Sequence, residues 1–103
     1  MKERKVVISA DAPKPIGPYS QAIEAGNFIF CSGQIPLDPQ TGQLVQGDIS
    51  VQAKRILDNF DAVLKAAGSS LGKAVKLTVY LTNLGDFDAL NKALGSFSVP
   101  FYH

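Results

Sequence analysis

The apolar positions change period along the chain: short β-type runs come first, then a helical stripe, then strict alternation, then a shorter helical stripe. Val6 to Ile8 is a β-branched run. The segment that follows, Asp11 to Pro18, contains Pro13, Pro15 and Pro18, which hold their predecessors extended and remove backbone donors, so it predicts an ordered irregular loop. Ser20 to Ala25 and Asn27 to Ser32 are strand-like and meet at Gly26-Asn27, a pair suited to the positive φ angles of a tight turn; together they predict a β-hairpin. Gly33 ends the second run. Pro39 and Gly42 then set a turn within Asp38 to Gly42, and Gln43 to Val45 is a candidate short strand.

The clearest element comes next. Asp48 is placed to cap a helix in which Ala53, Ile56, Leu57, Phe60, Val63, Leu64 and Ala67 recur at spacings of three and four, with Gly68 as its stop. Lys54, Arg55, Asp58, Asp61 and Lys65 fall on the opposite face, so the helix should lie with one side on something flat. Val75, Leu77, Val79 and Leu81 alternate with Lys76, Thr78, Tyr80 and Thr82, which predicts a strand with one fully apolar face. Asn83-Leu84-Gly85 makes a turn, Asp86 is a candidate cap, and Phe87, Leu90 and Leu94 share one stripe of a second helix ending near Gly95. The order β-α-β-α calls for one more strand, for which Ser96 to His103 leave little room.

A length of 103 residues without repeat, linker or low-complexity tract predicts one domain over 1–103. With 46% apolar and 18% charged residues the composition is that of a globular chain, and a formal charge of +1 offers no broad field for a phosphate backbone, which argues against a nucleic-acid partner. No apolar signal core follows MKERKVV and no apolar run could span a bilayer, so no membrane association and a cytoplasmic location are expected. One cysteine and one histidine exclude an internal disulfide and a standard zinc site.

That histidine, His103, is terminal, which argues against a relay of nucleophile and base. Cys31 lies in an apolar run and reads as a small buried side chain with a raised pKa. The glycines at 17, 26, 33 and 42 are too scattered for a phosphate loop, and Asp86 and Asp88 are explained by a helix start. Two stretches are different in kind: Gly17-Pro18-Tyr19-Ser20-Gln21-Ala22 and Ser32-Gly33-Gln34-Ile35-Pro36. Both place small residues where a loop meets a strand, and free N–H groups of Ser32 and Gly33, with the Tyr19 phenol, would suit a carboxylate or a water. On residue types alone, turn chemistry explains these stretches as well as a binding site does.

At these residues the chain resembles the RidA/YjgF family, also called L-PSP endoribonucleases. Ala12-Pro13, Ile16 to Ala22, Gly26-Asn27, Ser32 to Pro36, Asp38-Pro39, Thr41-Gly42, Asn59, Ala66 to Leu71, Val75 to Leu81, Asp86-Phe87 and Asn91 fall in family order, over roughly residues 6 to 97. The resemblance implies a chorismate-mutase-like α/β (α+β) subunit, a mixed sheet with two helices packed on one face. It further implies a homotrimer with clefts between subunits and hydrolytic deamination of reactive 2-imino or 2-enamino acids to 2-oxo acids and ammonia, without a cofactor. Tyr19, Ser32 and Gly33 are the implied catalytic positions, with Ser32, Gly33 and Asn91 holding a small 2-imino or 2-oxo acid. The family's arginine-bearing segment and its last two strands find no counterpart, so the chain reads as C-terminally incomplete; Arg4 and Arg55 are the only arginines. Losing a charge-assisted carboxylate contact costs roughly 3 to 5 kcal/mol, so impaired turnover is expected, and a non-catalytic carboxylate-binding or protein-protecting oligomer is the alternative. RNA cleavage fits neither the near-neutral charge nor the lack of an internal histidine.

Overall fold

The structure, a computed structural model, describes residues 4–97 and Val99; His103 and most of the tail after Phe97 lie outside the described residues. Strands β1 (Arg4–Val7), β2 (Ala22–Ala25) and β3 (Phe28–Cys31) form an antiparallel sheet in the order β1-β2-β3. The hairpin joining β2 to β3 turns at Gly26-Asn27, with Gly26 at φ 59°, a left-handed value that glycine takes without a Cβ clash. Val7, Ala22 and Cys31 stand opposite one another across the three strands, and Val6, Ile23 and Phe30 form the neighbouring row. Successive side chains point to opposite faces, so the first row turns to the core and the second away from it.

Helix α1 (Ile49–Ala66) starts where Asp48 accepts the Val51 N–H at 3.1 Å. It ends in a Schellman motif: Gly68, at φ 78°, donates to the Lys65 carbonyl at 3.0 Å and Ser69 donates to that of Leu64 at 2.8 Å. Helix α2 (Phe87–Ser96) is entered through a 3₁₀ turn, Leu84–Asp86. Asp86 does not cap it as expected, for its side chain makes no capping bond; Asn83 caps the preceding turn instead, accepting the Gly85 N–H at 2.9 Å.

Two apolar clusters share α1. Val63, fully buried, meets Val7, Ala12 and Ala22 and joins the helix to the sheet. Ala53 and Leu57 meet Leu71, Leu90, Leu94 and Val99 and join it to α2. The architecture is thus α+β, an antiparallel sheet with two helices, α1 meeting the sheet and α2 packing against α1.

The alternating segment Val75 to Thr82 has no ladder partner among the described residues and is not a strand. Alternation selects a face, but a strand exists only when a neighbour accepts its backbone bonds. Leu77 and Leu81 still lie half-buried against the α1–α2 cluster, while Val75 and Tyr80 (93% exposed) face out. Gln43 to Val45 likewise reduces to a single bridge between Leu37 and Leu44. No helix among the described residues is long and apolar enough to cross a membrane.

Candidate functional site

Two loops face each other at one end of the sheet. The first connects β1 to β2, and its prolines leave carbonyls without donors close by in the chain. Gln21, 4% exposed, supplies them: its Nε2 donates to the Ser9 and Pro13 carbonyls at 3.1 and 2.9 Å, and its Oε1 accepts the Ser9 N–H at 2.6 Å. The second loop leaves β3 through Ser32 and Gly33. It is tied to α1 by Asn59, fully buried, whose Nδ2 donates to the Leu37 carbonyl at 2.9 Å while its Oδ1 accepts the Arg55 Nε–H at 3.2 Å.

Between the loops lies a cleft of about 340 Å3, lined by Pro13, Lys14, Pro15, Ile16, Tyr19 and Gln21 on one side and by Gly33, Gln34, Ile35 and Leu37 on the other. That size falls within the roughly 300–1,000 Å3 of small-molecule clefts. The walls are mostly apolar, and Lys14 is the single charged residue among those lining it. Tyr19 is half-exposed; its phenol oxygen accepts a long 3.4 Å contact from the Ile16 N–H, which leaves the O–H proton available.

Ser32 is engaged on both sides, contrary to the expectation of a free N–H: it donates that N–H to the Gln21 carbonyl at 3.0 Å, and its hydroxyl to the Ser20 carbonyl at 2.5 Å. Strand pairing carried one step past β3 consumes the donor. Gly33 is the first residue beyond this pairing. Among the described residues its N–H has no acceptor, and a Cβ placed on it would meet nothing within 4 Å, so backbone and open space coincide there. Tyr19, Ser32 and Gly33 are therefore neighbours within one chain. Asn91 is not with them; it sits exposed on α2, outside the residues that line the cleft.

A wider depression of about 620 Å3, more open to solvent, lies between Ile8 to Asp11 and the polar face of α1. Most of its charges are already partnered, Lys65 with Asp61 and Asp58 with Lys54, each at 2.8 Å, and the hydrogen bond and negative charge of Asp61 raise the Lys65 pKa. It has the chemistry of a solvated helix face. Cys31 is half-buried on the inner side of the sheet, and burial pushes its thiol pKa up, away from nucleophilic use. Among the described residues no group of three His, Cys, Asp or Glu side chains is placed to hold a metal.

Lys14 escaped the sequence reading as a site residue, as did the amides of Gln21 and Asn59. Gln21 and Asn59 did stand among the family-ordered positions, which was the one signal available.

A sequence model of the family described as Endoribonuclease L-PSP matches residues 9–101. A RutC family protein of Pyrococcus abyssi is 53% identical over 94 residues, covering 91% of this chain and 74% of its own length. The 2-iminobutanoate/2-iminopropanoate deaminase of Mus musculus is 46% identical over 89 residues, covering 86% of this chain and 66% of its own length. Among solved structures, a candidate endoribonuclease of Thermotoga maritima superposes with a TM-score of 0.88 at 47% identity, over 94% of this chain and 75% of that one. The family match over most of the chain and the shared fold lead to one conclusion: this chain belongs to the Endoribonuclease L-PSP family, which includes the RidA and RutC proteins.

Proposed function

We propose that the chain is a hydrolytic deaminase of small 2-imino or 2-enamino acids, acting in the cleft between the Tyr19 loop and the Gly33 loop. The observation that carries this reading is the meeting of a phenol O–H, an unpartnered backbone N–H and a lone cation in a mostly apolar cleft, on a chain 46% identical to the mouse deaminase. A short apolar acid with one negative end matches that lining. Lys14 faces the carboxylate electrostatically, and the Gly33 N–H orients either a carboxylate oxygen or the attacking water.

The chemistry asks little of the protein. A protonated imine carbon is already electrophilic; water adds to it as the C=N π pair moves to nitrogen, and the water gives up a proton. The nitrogen of the resulting carbinolamine takes up a proton, the hydroxyl gives up its own, and the C–N bond breaks as the oxygen lone pair forms the carbonyl, releasing ammonia and leaving the 2-oxo acid. Tyr19 is positioned to hand a proton to nitrogen or take one from oxygen, and orientation of the water supplies much of the acceleration. Asn91 enters only from a second copy of the chain.

The sheet supports such an assembly. Antiparallel sheets commonly leave a polar face to water, whereas here the outward row of Val6, Ile23 and Phe30, with Phe28 beside it, is apolar, and the two phenylalanine rings lie 6.3 Å apart. A homotrimer burying these faces and bringing Asn91 to the neighbour's cleft is the form in which we expect activity, in the cytoplasm where such imines arise. The test is ammonia release from freshly generated 2-iminopropanoate or 2-iminobutanoate. Turnover above buffer hydrolysis that falls in Tyr19→Phe supports the proposal; release no faster than buffer contradicts it.

A further inference from the structure

The cleft walls are not held by the strands that flank them. Each is tied to the body of the fold by one buried carboxamide, the second wall being braced as well by the Leu37–Leu44 bridge and by the Val45 N–H, which donates to the Pro36 carbonyl at 2.9 Å. Gln21 reaches the Tyr19 wall by taking both backbone groups of Ser9 and the Pro13 carbonyl, so its side chain acts as a length of strand for a segment whose prolines cannot pair. Asn59 reaches the opposite wall at the Leu37 carbonyl from a helix 22 positions further along the chain. Both amides are buried, both are satisfied at oxygen and nitrogen, and neither offers the cleft a free polar atom, since no buried side-chain polar atom among the described residues is unpartnered.

We infer that Gln21 and Asn59 are positioning residues that set the width of the cleft, and with it which side-chain length of substrate is accepted. The substrate half of this inference rests on the deaminase reading; the clamp itself does not. Glutamine reaches Ser9 and Pro13 together because of its second methylene, and Gln21→Asn keeps the amide but shortens the reach. The wall from Ser9 to Ile16 then loosens by a fraction of an ångström to an ångström, a displacement that costs on the order of tenfold to hundredfold in rate at a reacting centre.

The experiment combines hydrogen exchange with kinetics on Gln21→Asn and Asn59→Ala. Exchange should rise on the order of tenfold or more at the Ser9 amide in the first variant, and at the Leu37 and Val45 amides, bonded to the Ile35 and Pro36 carbonyls, in the second, with β2 and β3 amides unchanged. The ratio of kcat/KM for 2-iminobutanoate over 2-iminopropanoate should shift severalfold in each, since one methylene is discriminated by about tenfold or more in a fitted pocket. A uniform rise in exchange with an unchanged ratio overturns the inference, because that is what plain destabilisation gives.

Should either variant fail to fold, exchange in the unaltered protein decides. The Ser9 amide, bonded to Gln21 Oε1, should be as protected as β2, and exchange at the rate of an open loop overturns the clamp. If the unaltered protein neither turns over imine nor binds 2-oxobutanoate, the deaminase reading falls and the exchange pattern alone decides the positioning role.

Discussion

If the outward face of the sheet is buried in the proposed homotrimer, replacing Phe30 by aspartate should dissociate it. Phe30 is 63% exposed on the outward face, so the subunit itself has little to lose: substitutions at such positions usually stay within about 0.5 kcal/mol. A fully buried phenylalanine contributes roughly 1.5–3 kcal/mol, so covering the exposed two thirds in an assembly is worth about 1–2 kcal/mol per subunit. Three subunits together give about 3–6 kcal/mol, or roughly two to four powers of ten in the association constant. The buried carboxylate adds a further penalty of the same sign. Sedimentation velocity at micromolar concentration, with far-UV circular dichroism as a fold control, reads the outcome. Wild type should sediment at three times the subunit mass and Phe30→Asp at the subunit mass with an unchanged spectrum. A variant with the same mass as wild type refutes the reasoning, and a wild type at the subunit mass refutes the assembly.

Three further predictions follow from single residues. Val63→Ala, between α1 and the sheet, should lower stability in urea by about 1.5–3 kcal/mol, whereas Val75→Ala, largely exposed, should change it by less than about 0.5 kcal/mol; equal effects would place the second residue in a core. Lys14→Gln should raise KM for 2-imino acids severalfold and flatten its dependence on salt, while an unchanged salt slope would remove Lys14 from the carboxylate. Burial raises the Cys31 pKa above its ordinary 9.0, so iodoacetamide should modify the native protein more slowly than free cysteine near neutral pH. The same shift fixes a sign. The unfolded thiol loses its proton first, so stability from this group is complete below about pH 9 and declines as pH rises through the folded value. Labelling as fast as free cysteine at pH 7 contradicts both statements.

The sequence made legible what depends on neighbours within a few residues. Asp48 and Gly68 bound α1 as expected because caps are local: the Asp48 side chain needs only Val51, and Gly68 only Lys65. The turn at Gly26-Asn27 is of the same kind. Partnerships across longer separations were opaque. Nothing near Gln21 says that its amide will meet Ser9 and Pro13, and nothing near Ser32 says that its N–H will be taken by the Gln21 carbonyl.

The segment Val75 to Thr82 failed for a third reason. Its period of two foretells only half of the apolar face, since Leu77 and Leu81 turn toward the helices while Val75 and Val79 are exposed, and a strand needs a partner that its own residues cannot specify. For the candidate site, the family resemblance and the loop chemistry singled out Tyr19 and Gly33, which do share a cleft. Asn91 was also singled out, and this subunit leaves it elsewhere.

The functional reading depends on the Tyr19–Gly33 cleft accepting a short carboxylic acid. A ¹H–¹⁵N NMR titration of the unaltered protein with 2-oxobutanoate tests this most directly. Saturable shifts are predicted at Tyr19, Gly33 and Gln34, with the amides lining the wider depression at Asp58 to Ala66 left in place. No saturable shift, or shifts confined to that depression, would contradict it.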